Sequence, residues 1–355
     1  MSRSAILWPG VPLALSSAAL FGASTPFAKL LLGAGLDPWL LAGLLYLGSG
    51  IGLAIVAAGR RRAGVFVEAP LRRADLPWLA LVVLSGGIAG PLLLMVGLAA
   101  TPAAAASLLL NLEGLATMAL AWLMFRENVD RRLLSGAAAI LAGAALLSWR
   151  GAPGGIGWGA AAIAGACVAW GIDNNLTRRL SAADPVQIAT IKGLAAGTTN
   201  LALALAAGAR LPTASAIGAA GLIGFLGYGV SLVLFVLALR HLGAARTGAY
   251  FSTAPFIGAV LALVLLGEPV TAQLIAAGLL MAVGLYLHLA ERHQHEHTHE
   301  ALEHEHRHVH DEHHRHDHLP ADPPGEPHTH PHRHAPMVHA HPHYPDLHHR
   351  HRHAH

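Results

Sequence analysis

Apolar runs of about 20 residues follow one another from residue 11 to residue 290, separated by short polar stretches. A helix of that length crosses a hydrocarbon core of ~30 Å. Inside lipid every backbone N–H and C=O must find its partner within the segment, so runs this long mean helices. A membrane β-barrel would alternate apolar and polar residues over segments of ~10 residues, and these runs do not. The pattern predicts ten spans, at 11–32, 38–58, 76–98, 102–125, 132–149, 157–177, 186–207, 216–239, 245–266 and 271–290. Pro9, Pro38, Pro77, Pro102, Pro185 and Pro269 stand at span starts, where a missing N–H costs little. Pro26, Pro91 and Pro255 stand inside spans and predict kinks or broken turns. The first run is too long for a secretory signal and reads as a retained helix.

The second half of this pattern repeats the first. Residues 111–129 lie over 252–270 at a constant offset of 141, which sets Glu127 on Glu268 and Val129 on Val270. The same offset pairs Gly86 with Gly227, Leu98 with Leu239 and Ala103 with Ala244. A shorter match sets Phe21-Gly22 on Trp170-Gly171. Each half holds five spans, an odd number, so the halves are inverted relative to one another. The predicted fold is an all-α integral membrane protein, ten transmembrane helices as two inverted five-helix repeats, with a disordered histidine-rich tail. The domain division is 1–150, 151–290 and 291–355. Inverted repeats are a common basis of alternating access, with the binding site at the repeat interface near midplane.

Charge orients the spans. With the N-terminus in the cytoplasm, 13 Lys/Arg residues fall in inside loops and 2, Arg150 and Arg210, in outside loops. That bias predicts both termini in the cytoplasm of a bacterial inner membrane. Trp8, Trp39, Trp78, Trp149 and Trp158 fall at predicted boundaries, as an aromatic belt would. Trp122 and Trp170 fall within spans and read as packing residues, with lining of the pathway as the alternative. Cys167 is the single cysteine, so no intrachain disulfide exists, and it reads as a small lipid- or helix-facing residue.

Ionisable residues inside spans are costly and are functional candidates by default. They are Lys29, Glu113, Asp173 and Lys192. Glu113 lies about halfway along the fourth span, beside Asn111, too short to reach either interface. It is either a proton-coupling or substrate-ammonium site, or a member of a structural ion pair or hydrogen bond. Asp173 with Asn174 and Asn175 forms a polar cluster at the end of the sixth span, at a depth matching Lys192 of the seventh. Asp173 and Lys192 are an expected ion pair, a gate or a static strut. Lys29 is close enough to the outer interface to snorkel. Gly86, Gly87, Gly90, Gly224, Gly227 and Gly229 read as helix-contact surfaces.

Beyond residue 290 the composition changes. Residues 291–355 hold 24 of the 26 histidines, with 6 Lys/Arg against 11 Asp/Glu. Such sequence buries no core and reads as disordered. Imidazole suits Zn, Ni, Co and Cu ions. The candidate ligands are His293, His295, His297, His299, His304, His306, His308, His310, His313, His314, His316 and His318. No fixed catalytic or structural zinc spacing occurs among them. The tail's acidic balance argues against a nucleic-acid arm.

The segments FREN and LGEP ending spans four and nine, and the stretches LLLNLEGLATMALAWLMFRENVDRR, IKGLAAGTTNLALALA and GFLGYGVSLVLFVLALRHLGAARTGAYFSTAPF, resemble the EamA-type transporters of the drug/metabolite transporter superfamily. The resemblance covers residues 11–290 and extends to a branch with a histidine-rich tail. It implies a secondary transporter, not an enzyme, working in the lipid bilayer on a small solute such as an exported metabolite, with no required cofactor. The Glu113-Gly114 dipeptide departs from the Pro common at that place, which the second half keeps as Pro255. Two other functions stay open: a divalent-metal (Zn, Ni, Co) exporter whose tail collects cytoplasmic ions, and a membrane-anchored metal sensor or buffer. A homodimer also stays open.

Overall fold

The computed structural model describes residues 10–63, 71–125, 131–149, 157–177, 180, 183–289, 294–299, 302–308, 328–334 and 337–342. Spans 1 and 2 are the helices Gly10–Gly33 and Pro38–Arg62. Span 3 is built of Leu76–Val82, a π-helical stretch Val83–Ala89, and Gly90–Ala99. Span 4 is Ala103–Leu109 followed by Leu112–Phe125, and span 5 is Arg131–Ser148. Spans 6 and 7 are Trp158–Thr177 and Pro185–Ala206. Span 8 begins as Ala214–Gly224, turns π-helical over Phe225–Val230, and runs into Ser231–Phe251. Span 9 ends as Ala254–Leu266, and span 10 is Ala272–Leu289.

Local chemistry accounts for the ends. The Asp37 carboxylate accepts from the Leu40 amide at 2.9 Å, with Pro38 at the first helical position of span 2. Asp184 and Pro185 repeat the device at span 7, where Asp184 accepts from Val186 at 2.8 Å. An aspartate cap satisfies amides that the first turn leaves orphaned, and proline there loses nothing.

The helical assignment runs unbroken through Ser231–Phe251, where a connection near residues 240–244 is expected. A straight helix would hold Phe235 and Phe251 about 24 Å apart. Their rings meet at 4.9 Å, so the chain doubles back between them and spans 8 and 9 are separate crossings. The corresponding turn in the first half carries Thr101-Pro102, and proline stops the helix there.

Both halves are interrupted at matching places. The two π-helical stretches, Val83–Ala89 and Phe225–Val230, overlap at the offset of 141. Span 4 breaks after Leu109, and span 9 breaks between Phe251 and Ala254. Side chains add a second donor at carbonyls beside the breaks: Asn111 donates to Leu108 O at 2.8 Å, Ser252 to Gly248 O at 2.8 Å and Thr253 to Tyr250 O at 2.6 Å. In lipid a broken turn survives only with such partners. Pro91 and Pro255 stand at the restarts. Pro26 sits within the continuous first helix. Having no N–H, it leaves the Gly22 carbonyl without its helical donor, and a Cβ at Gly258 of span 9 would lie 2.6 Å from that oxygen.

The repeats pack by exchange. Span 3 lies against spans 6 and 7, span 8 against spans 1 and 2, span 2 along span 7, and span 5 along span 10. Glycine permits the closest of these approaches: a Cβ on Gly193 would lie 2.7 Å from both N and Cα of Gly50. Ile55, Leu123, Val264 and Leu279 point outward and exposed. On a protein surrounded by water they would be costly, whereas a bilayer covers them. Among the described residues, six helices are both long and apolar enough to cross a membrane, and three shorter apolar helices join them.

Among the described residues of the tail, Gln294–His299 pairs antiparallel with Met337–Pro342, and Leu302–His308 with His328–His334, one ladder nested inside the other.

Candidate functional site

The site is organised by the π-helical turn of span 3. A π turn is wider than an α turn and leaves carbonyls off the regular ladder. The Gly86 carbonyl accepts from the Tyr46 hydroxyl at 2.8 Å and from the Trp170 indole at 3.0 Å, joining spans 2, 3 and 6 at one oxygen. The Gly87 carbonyl accepts from the Asn200 amide at 3.1 Å, and Asn200 Oδ1 accepts from the Trp39 indole at 3.2 Å. Glycine is required at position 86 because a Cβ there would overlap the carboxylate of Asp173.

Asp173 pairs with the Lys192 ammonium, and Thr177 donates to its other oxygen at 3.2 Å. Both members of the pair are largely buried, so each balances the other's charge in a medium that solvates neither well. Glu113 sits beside them on span 4, half-buried. Its carboxylate accepts from the neutral Asn174 amide at 3.1 Å, and the same amide reaches Thr117 Oγ1 at 3.1 Å. Asn175 ties the backbone of span 4 to span 6, donating to Thr117 O at 3.0 Å and Gly171 O at 2.8 Å. Asn174 is exposed although it extends the face of span 6 that carries Trp170 and Gly171, both buried. That face is therefore open at its end. Val168 and Ile172 mark the separate, outward apolar face.

Aromatic rings line the same region. Tyr46 and Tyr228 lie with ring centroids 5.5 Å apart, and Phe21 meets Tyr228 at 5.9 Å and Phe251 at 5.4 Å. Both tyrosines are within electrostatic reach of Glu113. The arrangement sets a carboxylate, amide and phenol groups, and apolar rings around the meeting of the two repeats. Such a set can hold a small solute by one charged contact, a few hydrogen bonds and ring surface.

Of the residues singled out in the sequence, Glu113, Asp173, Asn174 and Lys192 come together here. Asn111 turns away toward span 10, with Met281 Sδ at 3.9 Å. Lys29 lies elsewhere, its ammonium on the carbonyls of Leu98, Ala99 and Thr101 at 2.6, 3.2 and 2.9 Å. It therefore binds backbone where a free snorkelling chain is expected. Trp170 does more than pack, since its indole holds the π turn. His295, His297, His299, His304, His306 and His308 fall on the paired strands of the tail. His293, His310, His313, His314, His316 and His318 lie outside the described residues. Tyr46, Thr117 and Tyr228 escape the sequence reading. Tyr46 and Tyr228 carried a usable signal, being two of only five tyrosines and each placed mid-span.

Comparison with known proteins agrees with this architecture. The profile of the EamA-like transporter family matches residues 8–149 and again 157–290. An uncharacterized transporter of Methanothermobacter thermautotrophicus is 29% identical over 297 residues, covering 79% of this chain and 86% of its own. A crystal structure at 23% identity superposes with a TM-score of 0.58, covering 81% of this chain and 96% of that one, and shares the fold.

Proposed function

Because the chain belongs to the EamA-like transporter family, we propose that it is a secondary transporter that exports a small organic solute across a bacterial inner membrane, with Glu113 at the centre of its binding site. The observation that carries this reading is the Glu113 carboxylate, set at mid-span with a neutral hydrogen-bond partner beside an already balanced Asp173–Lys192 pair. The site thus has one carboxylate available to a proton or to the ammonium of a solute. Its remaining groups, amides, phenols and rings, suit an organic molecule. The lysine and arginine bias of the loops supports cytoplasmic termini and a tail on that side. The test is uptake into proteoliposomes under an imposed pH gradient, over a panel of amino acids, amines and other metabolites. Glu113→Gln is expected to lower the rate for the accepted solute at least tenfold. Transport at the wild-type rate in Glu113→Gln would remove that residue from the site.

One observation favours a second reading, export of a divalent metal: 24 histidines crowd the tail. Cellular zinc, nickel, cobalt and copper would be measured with the full chain, a chain stopped at residue 290, and Glu113→Gln. A metal lowered by the full chain and by neither variant assigns metal export with delivery by the tail. Metal merely retained, equally in Glu113→Gln, assigns a buffering or sensing tail. In either case the tail is expected to hold metal above pH ~6.5 and release it below, because only neutral imidazole coordinates. Equilibrium dialysis of the full protein against zinc from pH 8 to pH 5 reads that release.

A further inference from the structure

The central site is rich in acceptors and poor in donors. The Tyr46 hydroxyl and the Trp170 indole both donate to the Gly86 carbonyl, at 2.8 and 3.0 Å. The Asn174 amide reaches Glu113 and Thr117 Oγ1, and the Asn175 amide reaches Thr117 O and Gly171 O. Ser24 donates to Phe21 O at 2.6 Å, which leaves its oxygen to accept from the Tyr228 hydroxyl. An amide has two protons to give and a hydroxyl one, so these donors are filled. What stays open among the described residues is acceptor. The second oxygen of Glu113 is one, and Oδ1 of Asn174, exposed at the open end of the span 6 face, is another.

Charge points the same way. Asp173 and Lys192 cancel, so Glu113 leaves the described ionisable side chains of the site with one negative charge in excess. A carboxylate brought to the Lys192 ammonium would meet Asp173 and Glu113 as well, two anions against one cation where little water screens them. An ammonium brought to Glu113 instead completes a pair and supplies protons to the open acceptors. The ring contacts of Phe21, Tyr46, Tyr228 and Phe251 offer apolar surface beside it, and π faces that attract a cation.

We propose that the solute is a monovalent organic amine, an ammonium on an apolar or aromatic body that carries no carboxylate. Its ammonium donates to Glu113 and to Asn174 Oδ1, and its body lies against the rings. The proposal rests on the reading of Glu113 as the centre of the binding site and names the class of solute held there. Amino acids are disfavoured, because binding would take their carboxylate out of water with no free donor to receive it.

Matched probes separate charge from shape. An alkyl, a phenyl and an indolyl body are each supplied as the ammonium, the amino acid and the carboxylate. Binding to the purified full chain in mild detergent at neutral pH is read by titration calorimetry. The best ammonium is expected to bind about tenfold tighter than its amino acid, the worth of one hydrogen bond to a charged group, and its carboxylate not at all. Glu113→Gln keeps an acceptor for Asn174 and is expected to weaken that ammonium about tenfold. The melting temperature of the unliganded variant separates lost binding from lost fold, and the comparison among probes on the wild-type chain decides the class without any variant. An amino acid or carboxylate that binds as tightly as its amine, an amine held equally by Glu113→Gln, or no binding by any ammonium would overturn the proposal. Counterflow of the same probes in proteoliposomes separates it from the transport reading. An amine bound through Glu113 but not moved keeps the class and removes transport. Amino acids moved while amines are ignored keep transport and overturn the class.

Discussion

Lys192→Met is expected to destabilise the protein by about 3–5 kcal/mol, the usual cost of leaving one member of a buried ion pair without its partner. The stranded group is the Asp173 carboxylate, 7% exposed in its side chain, with Thr177 as its remaining donor. Asp173→Asn should cost less, since an amide needs no counter-charge and can still accept from Thr177. The double variant, Asp173→Asn with Lys192→Met, should recover most of the loss. Thermal unfolding in a mild detergent closes the double-mutant cycle. A pair that acts only as a strut gives a double variant that is both stable and active. A pair that opens and closes during transport gives a stable double variant that is slow. If Lys192→Met unfolds at the wild-type temperature, the pair does not stabilise this state.

Gly86→Val has the next largest expected effect. Its Cβ would overlap the Asp173 carboxylate, and its branches have no room beside the π turn. Overpacking of this kind costs about 1–3 kcal/mol, and loss of the Tyr46 and Trp170 hydrogen bonds to the Gly86 carbonyl adds about 0.5–1.5 kcal/mol each. Transport and thermal stability should both fall. Gly227→Val provides the control in the other repeat. There the added Cβ meets the Ser24 side chain at 2.7 Å, with no carboxylate against it. A milder loss at Gly227 than at Gly86 shows that the Asp173 contact sets the cost. Equal losses would assign it to the π turn alone.

Membrane insertion, span number and the repeat were legible in the chain because each is a local or periodic property. An apolar run of 20 residues has one acceptable structure in lipid, and a constant offset of 141 needs no contacts to be seen. Asp173 and Lys192 could be paired from depth alone, since their spans have opposite directions and known ends. The polar π turns could not be read this way. Their glycines look like packing residues, and only the fold shows that Gly86 admits a carboxylate while its carbonyl takes two donors. Asn111 and Glu113 are two residues apart, about 200° around a helix, so the break after Leu109 and the neighbours of span 4 decide which faces the site. Lys29 shows the same limit: snorkelling is a property of one helix, whereas three backbone carbonyls from another hairpin exist only once the helices pack. The sequence by itself determined that the chain crosses a bilayer ten times in two inverted halves, because those facts follow from hydropathy and repetition along the chain. The tertiary structure alone decided which polar groups meet, because a side chain's partner depends on how helices distant in sequence rotate against each other.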